Sequence, residues 1–206
     1  SFNKLIRRTI DRVQESLIID VNIRRKNAYS DVFRMKFHLR KQIIQGQILM
    51  GRGLTERPRV IFDTCTRYAK KYELYDELIE SLHFSQLLIG RLKGIDSFEK
   101  AAEEIEYFEN CRSLLNRTKK IQRLFDASIS KKSNKQKIGI KLKNSVKKIY
   151  RYYESTRSSN ILSYYYLMII EIGKAEDNTL KVVSSIKDLI QLLKSSPAVF
   201  SGPRIG

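Results

Sequence analysis

"LKGIDSFEKAAEEIEYF", residues 92–108, decides how this chain is read. An apolar pattern at helical spacing arrives from about Tyr75 and stops at Gly94. Ser97 is then placed to cap a second helix. Beyond it, Ala101, Ile105, Phe108, Cys111, Leu114, Thr118, Ile121 and Phe125 recur at helical spacing. They define one inner face that continues at least to Phe125. The stretch is a helix, a tight turn and a longer helix.

The same reading extends to both sides. Ile6, Ile10, Val13, Leu17 and Val21 predict a helix over about 3–25. "NAYSD" breaks it, and Ser30 or Asp31 caps a helix over about 32–50 whose face is Phe33, Phe37, Ile44 and Ile48. After "GRGLTE", Pro58 sits in the tolerated first turn of a third helix. That helix carries Ile61, Cys65, Tyr68 and Tyr72 inward. Leu142, Val146, Ile149 and Tyr153 predict a helix from about 140, and "STRSSN" ends it. Residues 161–172 are apolar nearly all round, which fits a helix packed on two sides. The last helix, about 179–194, buries Val182, Ile186, Leu189 and Leu193, and Pro197 prevents its continuation. The expectation is all-α, with hairpin units near 31–74 and 75–128, a Lys-rich loop at 129–139, and C-terminal helices over 140–206.

A shift of 43 residues lays "LRKQIIQGQILMG" (39–51) on "LHFSQLLIGRLKG" (82–94), pairing Gly51 with Gly94. A third copy begins near Ile161. In this register the chain resembles the tetratricopeptide-repeat-like helical solenoids. Gly94 stands at that family's turn, Phe98 at its first aromatic, Ala101 at its small packing position and Ile105 at the bulky one that follows. "IGKAEDNTLKVVSSIKDLIQLLKSSP" (172–197) is similar, with Gly173 near the turn. The resemblance implies a right-handed α-α superhelix of stacked antiparallel hairpins. It also implies a scaffold that holds peptides or proteins on a face lined by the first helix of each pair. Repeats of this kind bury one another's faces and leave an extended surface. The missing initiator Met and the abrupt "SGPRIG" raise the expectation of a longer protein with further repeats.

Composition adds a second theme. The formal charge is +18, from 40 Lys and Arg against 22 Asp and Glu. That surplus favours nucleic acid, anionic lipid or an acidic protein, or reflects a Lys-rich background. "SKKSNKQKIGIKLKNSVKKIYRYY" (130–153) has nine Lys and Arg and no Asp or Glu. Lys141, Lys143, Lys147, Lys148 and Arg151 form the solvent face of its helix. They are the candidate contacts for a polyanion or an acidic partner. Of the crowded tyrosines, Tyr153 falls on the apolar stripe. Tyr152 falls outside it and is the better candidate to stack on a base. Helix packing is the alternative use for both rings.

The signs of chemistry are few. His38 and His83 occupy corresponding helices without metal-ligand spacing. "GRG" (51–53) has no preceding strand and no Lys-Ser/Thr pair, so it is no phosphate loop. Cys65 and Cys111 read as buried thiols in a reducing, cytoplasmic setting. No apolar run reaches the roughly 20 residues that span a bilayer. The expectation is a non-catalytic scaffold without cofactor or metal, binding another protein or peptide. The alternative is a nucleic-acid-binding helical protein that uses the 112–153 surface.

Overall fold

The computed structural model describes residues 2, 4–10, 29–130 and 135–200, with backbone alone at 91–93, 128–130 and 135–142. Among the described residues every regular element is helical and no strand is present. After the helical residues 4–10 come α1 (Asp31–Gly51), α2 (Glu56–Lys71), α3 (Tyr75–Lys93), α4 (Ile95–Ser130), α5 (Lys135–Thr156), α6 (Ser159–Ala175), α7 (Thr179–Ser195) and the short α8 (Pro197–Phe200). The N-terminal helix expected over 3–25 falls mostly outside the described residues. Of the loop expected at 129–139, residues 129–130 belong to α4 and 135–139 to α5, and 131–134 lie outside the described residues. Ser97 is not a cap, since α4 begins two residues before it, directly after Gly94.

Local chemistry sets the helix ends. The Ser30 hydroxyl accepts from the Phe33 amide at 3.1 Å and starts α1. The Leu54 amide reaches back to the Leu49 carbonyl and the Gly53 amide to that of Met50. This is a Schellman closure, with Gly53 at φ 82 in the left-handed position. That position belongs to Gly53 rather than to Gly51, which the repeat alignment had paired with Gly94. Two further closures put side-chain-bearing residues in the same conformation. Glu73 (φ 50) ends α2 and Asp177 (φ 51) ends α6.

Consecutive helices pack against each other along the chain, and among the seven long described ones the lightest contact is where α4 meets α5. Three of the hairpins share one device. A Cβ on Gly46 of α1 would lie 2.6 Å from the Phe62 ring of α2. One on Gly90 of α3 would lie 2.9 Å from Phe98 of α4. One on Gly173 of α6 would lie 2.7 Å from Val182 of α7. Each first helix thus offers a bare patch of backbone to a bulky side chain on the second. On this count α1/α2, α3/α4 and α6/α7 share one packing contact, and α5 lies outside these pairs. Contacts between next-but-one helices fit: α1 meets α3, and α4 meets α6 across α5.

One core runs through the molecule. Leu39, Phe62, Cys65, Leu78, Leu88, Cys111, Leu115, Ile149, Ile161 and Met168 belong to it. The inner positions read for α4 hold, with Ile105, Cys111, Leu114, Thr118 and Phe125 buried. Two other faces differ from expectation. In α1 the buried positions are Leu39, Ile43 and Gly46, while Phe33, Ile44 and Ile48 are exposed. In α7 the side toward α6 is Val182, Ser185, Leu189 and Leu192, and Ile186 and Leu193 face solvent. Both helices carry apolar residues on two adjacent stripes, so period alone does not choose between them. The glycine contacts do.

Two polar junctions lock the packing. Glu77 on α3 is only 2 % exposed, and Arg40 of α1 donates to it at 2.7 Å. Lys36 lies 3.8 Å from the same carboxylate. A buried carboxylate needs such partners. The second junction is Glu73, in the α2–α3 turn. Its carboxylate accepts from the Ser158 hydroxyl at 2.7 Å, the Ser159 amide at 2.7 Å, and the Asn160 amide and side chain at 3.1 and 3.0 Å. It thereby caps α6 from more than 80 residues away.

Gly46→Ala is expected to cost about 1–3 kcal/mol of stability, as overpacking does, and Phe62→Leu should recover part of it. Gly51→Ala meets nothing within 4 Å, so it should be neutral or mildly stabilising. Urea denaturation of the three variants checks the contrast. Glu73→Ala is expected to lose about 1–3 kcal/mol. Glu73→Gln keeps one acceptor oxygen and should lose less. A loss for Glu73→Gln equal to that for Glu73→Ala would show that a single acceptor oxygen does not hold the junction.

Candidate functional site

The basic helix anticipated from sequence is α5. Val146, Ile149 and Thr156 are buried and fix which side faces inward. The predicted residues then separate. Lys141 lies on α5, with its side chain outside the description. Lys143 is exposed but engaged, 2.8 Å from Glu176 at the end of α6. Glu176 also meets Lys181 at 3.1 Å, and its hydrogen bonds to the two lysines hold its carboxyl below the usual range. Lys147, Lys148 and Arg151 are exposed and have no ion pair among the described residues.

Tyr152 is not on the outer face. It lies three residues after Ile149 and four before Thr156, so it shares their side and packs against the core. That side meets α4, where the Tyr107 hydroxyl donates to the Thr156 carbonyl at 3.4 Å. The exposed ring is Tyr150, 40 % accessible. It stands 5.1 Å, centroid to centroid, from Tyr165 of α6 and 6.0 Å from Tyr153. The sequence carried a usable signal for this: Tyr150 is three residues after Lys147 and four before Glu154, on the solvent arc. Val146, Lys147, Tyr150, Arg151, Glu154 and Tyr165 line a surface groove of about 270 Å³ between α5 and α6.

The charge is unevenly neutralised. Around α1–α3 and the first half of α4 several cations find carboxylates: Arg40 with Glu77, Arg59 with Glu56, Lys70 with Glu104, and Arg112 with Asp76. On the second half of α4, Arg117, Lys119, Lys120 and Arg123 make no ion pair among the described residues. The asymmetry read over 112–153 therefore corresponds to two adjacent helices rich in unpaired cations.

His38 and His83 are both exposed. Among the described residues no group of three or more His, Cys, Asp or Glu stands together in a way that could hold a metal ion. Cys65 and Cys111 are buried free thiols. Burial pushes the Cys65 thiol up to about 11, against a smaller opposing hydrogen bond with Ser81. Burial also raises Cys111. No described helix is long and apolar enough to cross a membrane. Comparison with protein-family models, curated proteins and solved structures finds no match.

Both thiols should react slowly with a disulfide reagent at pH 8 in the folded protein and rapidly in denaturant. The unfolded Cys65 ionises near 8.5, and the folded one only at about 11. Between these values the folded state holds the extra proton, so stability falls as pH rises through that window. Thiol titration and denaturation at pH 7.5 and 10 check both expectations.

Proposed function

We propose that this chain is a non-catalytic, tetratricopeptide-like helical-hairpin scaffold that holds another protein by one of its helices. The recurrent glycine contact in α1/α2, α3/α4 and α6/α7 supports the hairpin-repeat part of this reading. The partner site is read from α7. Val183, Ile186, Ile190 and Leu193 fall at i, i+3, i+7 and i+10 on its outer side and are 38–45 % exposed. Four apolar side chains in one stripe on a long helix form a seam into which a second helix fits ridge to groove. Lys187 and Lys194, seven residues apart on one flank of the stripe, make no ion pair among the described residues. The partner is therefore an amphipathic helix with an apolar stripe and acidic residues along one edge.

The expected result is specific. Helical peptides selected from a displayed library against the intact chain should carry apolar residues at i, i+3/i+4 and i+7 with flanking Asp or Glu. Ile190→Glu should weaken them at least tenfold, and Lys187→Glu with Lys194→Glu should weaken the acidic ones preferentially. Binders indifferent to Ile190→Glu would remove α7 as the site. Self-association of the wild type that Ile190→Glu abolishes would instead make the occupant a second copy.

A further inference from the structure

We infer that the groove between α5 and α6 seats single-stranded nucleic acid, with one base on Tyr150 and the neighbouring phosphates on Lys147 and Arg151. This site is separate from the α7 seam and does not depend on it.

Four observations converge. First, Tyr150 is an exposed ring in tilted contact with Tyr165 of α6 and with Tyr153 of its own helix, which restrain it. A ring held in place loses little freedom when a base stacks on it, and base–aromatic stacking tolerates any sequence. Second, Lys147 and Arg151 lie four residues apart on one face of α5, about 6 Å along the axis, and both border the groove. Neither has a carboxylate partner among the described residues, so phosphates would not have to displace an internal ion pair. Third, a groove of about 270 Å³ falls just below the roughly 300–1,000 Å³ of small-molecule pockets. It takes one planar base and leaves the rest of a ligand outside. Fourth, the acids set the ligand class. Glu154 stands in the groove, and Asp188 lies near enough to Tyr165 and Tyr166 to contribute to raising both phenols, behind burial. Concentrated charge such as a triphosphate is disfavoured there. A strand with one phosphate per nucleotide can pass over Lys147 and Arg151 and keep clear of both carboxylates. A duplex hides its base faces and gains only the charge.

Fluorescence anisotropy of the intact chain tests this with labelled oligothymidylate, its duplex with oligodeoxyadenylate, and inorganic polyphosphate, at about 50 and about 200 mM salt. The single strand should bind more tightly than the duplex. Tyr150→Ala should weaken the single strand about tenfold and leave polyphosphate unchanged. Tyr150→Leu, which keeps an apolar contact for Tyr165, should do the same, and circular dichroism confirms the fold of each. Lys147→Glu with Arg151→Glu should weaken binding of all three and lessen its salt dependence. Equal affinity for strand and duplex, or full strand binding by a folded Tyr150→Leu variant, would overturn the inference and leave only a charged surface. No strand binding at the lower salt would overturn it outright.

Discussion

The carboxylate of Glu73 is the tie on which the arrangement of the two halves depends. It occupies a left-handed position that a glycine would adopt without strain. The strain, of order 1 kcal/mol, is offset by four hydrogen bonds to the start of α6. A helix begins with amide groups that no turn of its own can satisfy. Here a residue from the α2–α3 turn supplies what Ser158 alone cannot. Ser158 already accepts from the Ile161 amide, and Glu73 completes the set at Ser159 and Asn160. Burial first, and the nearby Glu73 carboxylate second, push the Tyr75 phenol upward. Ser159 pairs in turn with Ser196 at 3.0 Å. The starts of α3 and α6 and the end of α7 are thus pinned at one end of the molecule.

Much of this was legible in the sequence, and the part that was not has a definite cause. The run from Gly94 to Phe125 has a single apolar stripe, so its inner face could be read directly. Cys65 and Ile61 on α2 followed for the same reason. The α1 and α7 stripes are double, and the choice of side rests on Gly46 meeting Phe62 and Gly173 meeting Val182. Those are contacts between helices, invisible to periodicity. The glycines themselves were visible, but Gly51 drew attention because it fell at a break. Gly46 and Gly90, inside helices, hold the informative positions.

The candidate site shows the same division. Lys147, Lys148 and Arg151 could be placed on the solvent side from the positions of Val146 and Ile149. Which cations remain available could not, because Glu176 reaches Lys143 from another helix. The tyrosines needed the second helix as well. Tyr152 lies off the stripe read from sequence yet on the side of Ile149 and Thr156, so it packs against the core. The exposure of Tyr150 was readable from its spacing, but its pairing with Tyr165 across the groove was not.

Helix α6 backs both surfaces. Its Tyr165 forms one wall of the α5–α6 groove, and its Gly173 receives Val182 of α7. Ile161, Met168 and Ile172 anchor it in the core between them. The outer stripe of α7 and the solvent arc of α5 therefore have separate side chains on a common support. Substitutions at Tyr150 on α5 and at Ile190 on α7 should act independently, as sites without shared partners do, whereas Lys143 and Lys181 meet at Glu176 and should couple. A substitution in α6 or at Glu73 moves the support and so affects both surfaces. Loss of both binding activities in an α6 variant would consequently report on packing, and only the solvent-side variants assign a ligand to a face.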